Sequence, residues 1–105
     1  MSVLSVTFHV ESTVQPQWYD FLEKEFPVLV ENLYDVEKFI FSEVNSDYIQ
    51  EGKNYNLLLI FNDHEIRSGF LLNEMQNLSE IIHKKFSQEQ VMIFITELNP
   101  ITKRL

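Results

Sequence analysis

Three observations predict an α+β fold with the element order β-α-β-β-α-β. Apolar and polar residues alternate with a period of two near the start of the chain, and short β-rich runs recur in its middle and near its end. Two longer stretches between those runs carry apolar residues at three- and four-residue spacing, the mark of amphipathic helices. Composition agrees with a packed domain: 45% of the 105 residues are hydrophobic and 14 are aromatic, whereas glycine and proline number only two and three.

The first strand spans Val3 to Val10, with Leu4, Val6, Phe8 and Val10 on one side and Val3, Ser5, Thr7 and His9 on the other. Trp18, Phe21, Leu22, Phe26 and Leu29 then trace a helical stripe, so Pro16 to about Asn32 reads as the first helix. Pro27 lacks an amide hydrogen and crowds the preceding turn, which predicts a break near Phe26 and a short second segment. Asp35 to Val44 and Tyr55 to Phe61 read as the second and third strands, rich in Val, Phe, Ile and Leu. The polar stretch Asn45 to Asn54 between them predicts a hairpin with a long connection. Asn62, three residues before Glu65, has the pattern of a helix N-cap and its reciprocal carboxylate, and Ile66, Phe70, Leu71, Met75, Leu78, Ile82 and Phe86 predict one long second helix. Its last turn holds His83, Lys84 and Lys85, where positive charge suits the helix dipole. Gln90 to Leu98 is the closing strand, ended by Asn99-Pro100.

With right-handed crossovers, this order is the ferredoxin-like split βαβ arrangement, a four-stranded antiparallel sheet with two helices on one face. The third and fourth strands carry large apolar residues on both sides, so whichever set meets the helices, the far face keeps others. An open apolar surface on the order of several hundred Å² is more than a soluble monomer normally leaves wet. The expectation is a homodimer that packs the open sheet faces together, in the manner of a dimeric α+β barrel.

The net charge is −8, and its acidic excess lies in residues 1–51, with ten acids and two bases, while residues 52–105 carry six of each. Such a chain repels a phosphate backbone and an anionic membrane surface, so neither nucleic acid nor membrane is an expected partner. Cysteine is absent, which excludes disulfides, thiolate metal sites and a cysteine nucleophile. The N-terminus Met-Ser-Val-Leu-Ser-Val-Thr shows no basic segment followed by an apolar run, and no stretch approaches the ~18 apolar residues of a membrane span. The expectation is one domain over residues 1–105, in the cytoplasm.

The strand Val6-Thr7-Phe8-His9-Val10, Trp18 with Phe21-Leu22, the Phe26-Pro27 break, the strand Tyr55-Asn56-Leu57-Leu58-Leu59 and the closing Phe94-Ile95-Thr96-Glu97-Leu98 together resemble the bacterial family of domain of unknown function 4286. The resemblance covers roughly Ser5 to Leu98. It implies a short single-domain protein with a ferredoxin-like, dimeric, barrel-related fold, and it transfers no activity, cofactor or catalytic residue. Many relatives have a histidine before an Ile-Pro at the helix break; this chain has Glu25-Phe26-Pro27, which counts against a role for such a histidine here.

Among individual residues, His9 is the first candidate for chemistry, because strand phase places it with Ser5 and Thr7 on the face away from the helices. An imidazole near a carboxylate can act as a general base at neutral pH. Glu11 follows on the same side if the strand continues, and Tyr55 opens the third strand beside it, so His9, Glu11 and Tyr55 form a candidate catalytic group at one mouth of a dimer cavity. The alternative is that Ser5, Thr7 and His9 are a polar strip inside the dimer interface, satisfied by each other or by water. His9, His64 and His83 are scattered, with no helical i, i+4 pair, so no metal site is expected. Haem-holding barrels of this architecture use a helical histidine, which brings His83 into consideration, but its place beside Lys84 and Lys85 reads as helix-end electrostatics. No cofactor is expected. Two functions remain from the sequence: a homodimeric binding or interaction protein of unidentified ligand, or a cofactor-independent enzyme of the dimeric α+β barrel type with His9 as acid or base.

Overall fold

The computed structural model describes residues 1–45 and 51–104. Strand β1 (Ser2–Val10) leads through a 3-10 turn (Ser12–Val14) into helices α1 (Gln15–Lys24) and α2 (Phe26–Glu31). Strands β2 (Lys38–Glu43) and β3 (Lys53–Phe61), helices α3 (His64–Leu72) and α4 (Glu74–Lys85), and strand β4 (Val91–Leu98) complete the order. The sheet runs β2-β3-β1-β4 with every neighbouring pair antiparallel. This is the ferredoxin-like α+β arrangement that the sequence predicts.

The first helix breaks where proline requires it. The Glu25 amide still donates to Phe21 O at 2.9 Å, and Leu29 picks the ladder up again by donating to Glu25 O at 3.2 Å, so the chain bends at Glu25 and Pro27 enters the first turn of α2. The second helix is not continuous as the apolar stripe predicts. Asn73, at φ −122° and ψ −75°, separates α3 from α4. Its amide donates to both Gly69 O and Phe70 O, and its side-chain Nδ2 donates to Gly69 O at 3.1 Å; a side chain competing for helix carbonyls in this way distorts the turn. The cap also lies one residue later than Asn62: the Asp63 carboxylate accepts from the Ile66 amide at 2.9 Å.

Strand bounds shift for equally local reasons. Asp35 sits at φ +67°, a left-handed turn conformation, so β2 begins at Lys38 rather than Asp35, while the Glu37 amide donates to Ile60 O at 2.9 Å. At its start β3 is two residues longer than the sequence suggests. The polar connection between these strands lies partly outside the described residues.

Leu4, Val6, Phe8 and Val10 of β1 and Tyr55, Leu57, Leu59 and Phe61 of β3 all point to the helices and are at most 2% exposed. Trp18 and Phe21 of α1, Phe26 of α2, Phe70 of α3 and Met75, Leu78 and Ile82 of α4 close over them. Phe8 lies at the centre of an aromatic cluster, with ring centroids 5.8 Å from Trp18, 6.1 Å from Phe26 and 6.4 Å from Phe41. Arg67 pins α3 to the end of the sheet: buried, it donates through Nη1 to Val3 O at 3.2 Å and Leu98 O at 2.9 Å, on the seam between β1 and β4.

Candidate functional site

The strand registers fix the composition of the face that no helix covers. Across it run tiers in the order β2, β3, β1, β4: Lys38, Ile60, Val3 and Leu98; then Ile40, Leu58, Ser5 and Thr96; then Ser42, Asn56, Thr7 and Phe94; and finally Asn54, His9 and Met92. Polar residues gather at its centre and at the end nearest the β2–β3 connection. Apolar ones surround them, with Ile40 57%, Phe94 54%, Leu98 41% and Met92 40% exposed. Lys38, at a corner, is the one charged side chain of these tiers, in a chain that is 23% charged.

Within the polar centre the side chains are already paired. His9 Nδ1 lies 2.6 Å from Asn54 Oδ1. An amide oxygen can only accept, so this bond places the hydrogen of a neutral imidazole on Nδ1 and leaves the Nε2 lone pair unused. Asn56 Nδ2 donates to Ser5 Oγ at 2.8 Å and to Thr7 Oγ1 at 3.2 Å. Gly52 lies against the other edge of the imidazole. It takes φ +81°, and a Cβ on it would come within 2.4 Å of Val10 O and 3.1 Å of His9 Nε2. Only glycine combines that backbone conformation with that approach.

His9 therefore stands with Ser5 and Thr7 on the open face, but Glu11 and Tyr55 do not join it. β1 ends at Val10, and Glu11 turns away: its amide donates to Gln90 O at 2.9 Å as the chain enters the 3-10 turn. Because β3 starts at Lys53, the residue opposite His9 is Asn54, and Tyr55 pairs with Phe8 on the helix side. The Tyr55 ring is 2% exposed. Asn54 and Asn56 supply the partners that His9, Ser5 and Thr7 need. Their signal in the sequence is the alternation Asn54-Tyr55-Asn56-Leu57, which sets two polar residues on one side of a strand.

Behind this end of the sheet, on the helix side, lies a second polar group. Lys53 Nζ donates to Tyr19 OH at 3.0 Å and pairs with Glu43 Oε1 at 3.0 Å. The ammonium holds the Tyr19 phenol below the usual tyrosine range, and both partners raise Lys53 in turn. Burial pushes the Tyr55 phenol well up, with the Tyr19 hydroxyl adding to the shift. Its hydroxyl donates to Gln15 Oε1 at 3.4 Å.

The other histidines take separate places. His83 Nε2 lies 2.9 Å from Val91 O and so carries a hydrogen toward it, fastening the last turn of α4 to β4; His64 opens α3. Among the described residues no group of three or more His, Cys, Asp or Glu side chains converges as a metal site would require, and no helix is long and apolar enough to cross a membrane.

Residues 1–101 match the family model described as a domain of unknown function, DUF4286. The chain belongs to that family. No curated protein matches this DUF4286 chain. Among solved structures it is similar to an ethyl tert-butyl ether D (EthD) family protein from Bacillus halodurans C-125, with a TM-score of 0.69 and 12% identity over 94% of this chain and 100% of the other. A dimeric ferredoxin-like protein from an uncultured marine organism gives a TM-score of 0.67 at 11% identity, over 98% and 96% of the two chains. A variant of MhuD with two manganese protoporphyrin IX bound per active site gives 0.60 at 11%, over 99% and 98%. At such identities the likeness concerns the fold alone.

Proposed function

We propose that this DUF4286 protein is a homodimeric binding protein whose two open sheet faces meet, with the His9–Asn54 and Ser5–Thr7–Asn56 groups forming the ligand-recognising part of the space between them. The observation that carries this reading is the near absence of charge from the open face. Two chains of net charge −8 repel each other, and association is least costly where each presents no carboxylate. The exposed Ile40, Met92, Phe94 and Leu98 then lose their contact with water, and the already paired polar centre enters the interface without stranded donors. The marine ferredoxin-like protein is described as dimeric, which supports association of two copies.

A cofactor-independent enzyme with His9 as acid or base is the second reading, favoured by the Asn54 bond that orients the imidazole and leaves Nε2 as its basic atom. Both readings need the joined faces.

Replacing Ile40 and Phe94 together by lysine tests the dimer. The doubly substituted protein should elute as a folded species of half the wild-type mass. Val28→Lys, at an equally exposed apolar position on α2, should leave the mass unchanged. A double variant that keeps the wild-type dimeric mass, or a Val28→Lys variant that loses it, would place the interface elsewhere.

A further inference from the structure

The geometry around His9 says more about the class of ligand than the dimer alone requires, and the inference rests on the binding reading above. We infer that the site takes a neutral, largely apolar molecule carrying one weakly acidic O–H or N–H, which donates to His9 Nε2.

Four observations carry this assignment. The 2.6 Å bond to Asn54 Oδ1 consumes Nδ1, so the nitrogen left to a ligand in the neutral imidazole is the acceptor Nε2. Nε2 has no hydrogen-bond partner among the described residues, and Gly52 lies against that edge of the ring, where any side chain would crowd it: a Cβ there would come within 3.1 Å of Nε2. Next, the tiers around His9 hold no counter-charge: its neighbours across the strands are Asn54 and Met92, and the following tier presents Asn56, Thr7 and Phe94. A carboxylate or an ammonium ligand would be desolvated there without an opposite charge, at a cost that a neutral ligand avoids. Finally, Met92 and Phe94 are exposed beside the imidazole and offer a polarizable sulfur and an aromatic face to a flat apolar body. Asn54 acts here as a positioning residue, holding the ring by its Nδ1 edge.

A matched pair of probes reads the inference directly. Para-cresol and para-xylene have nearly the same shape, and only the cresol carries the O–H. Titrated into the wild-type dimer and followed by amide and imidazole NMR, para-cresol should perturb His9, Met92 and Phe94 and bind about tenfold more tightly than para-xylene, the ratio expected for one hydrogen bond that the xylene cannot make. In His9→Phe, which keeps an aromatic ring but removes the acceptor, the two probes should bind alike. In wild type the imidazole should show a hydrogen on Nδ1 both free and bound, and Asn54→Leu should lose that preference together with most of the cresol advantage. Equal affinity of the two probes for wild type, or binding of neither to an intact dimer, overturns the ligand class while leaving the dimer standing. Failure of the dimer itself appears separately, as a wild-type mass equal to that of one chain.

Discussion

The two faces of the sheet are built from the same four strands and follow different rules. On the helix side β1 and β3 contribute eight apolar or aromatic residues, each at most 2% exposed, and the shapes of Trp18, Phe21 and Phe26 complete the packing. On the other side β1 and β3 set Ser5, Thr7 and His9 beside Asn54 and Asn56, while β4 and β2 leave Phe94 and Ile40 more than half exposed. Stability is concentrated on one face. The other is free to carry hydrogen-bonding groups whose geometry is fixed by the rigid strands beneath them, which is the condition a recognition surface needs.

Substitutions on the two faces should therefore differ in size. Phe8→Ala removes the centre of the aromatic cluster and should cost about 3–5 kcal/mol in denaturant unfolding. Phe94→Ala, compared with its parent in an Ile40→Lys background chosen to weaken any association through the open face, should change unfolding by about 0.5 kcal/mol or less. Comparable losses at the two positions would mean that the open face is part of the core. Arg67→Met should come next, at about 2 kcal/mol, because Val3 O and Leu98 O each lose a donor at the end of the sheet. Its solution mass should match that of the wild type, since the guanidinium reaches the seam from the helix side.

Alkaline titration sharpens the placement of Tyr55. Its phenol is raised above the ordinary value of about 10, so the folded state holds that proton where the unfolded chain releases it. The resulting stability is complete below pH ~10 and falls as the pH rises further. Tyr19, lowered by the Lys53 ammonium, should ionise first, and Lys53→Met should abolish that early phase of phenolate absorbance. If Tyr55 ionises in the same range as an exposed tyrosine while the protein stays folded, the helix-side assignment is wrong. Asn56→Leu frees two half-buried hydroxyls with access to water and should shift unfolding by only about 0.5–1 kcal/mol.

How legible each feature was depended on whether its strand has two distinct sides. β1 alternates cleanly, and the side of His9 follows from counting. β3 is apolar on both sides from Leu57 to Phe61, so its phase is legible only from Asn54 and Asn56 at its start, and a strand begun at Tyr55 loses half of that signal. The start of β3 was hidden too, because Glu51-Gly52-Lys53-Asn54 has the composition of a turn even though Lys53 and Asn54 pair with Val10 and His9. That composition disguises Asn54, the residue that orients the imidazole. The Pro27 break was readable from the chemistry of proline itself. The Asn73 break was not, since Leu71, Met75 and Leu78 continue the apolar stripe across it and only the side-chain bond to Gly69 O betrays the distortion.

The central claim is that the open faces of two copies meet, and the solution mass tests it most directly. Light scattering coupled to size exclusion, run over a range of concentrations, should give about 25 kDa, twice the 12.5 kDa of one chain, and hold that value on dilution. A mass near 12.5 kDa at every concentration would contradict the account, and with it any cavity around His9.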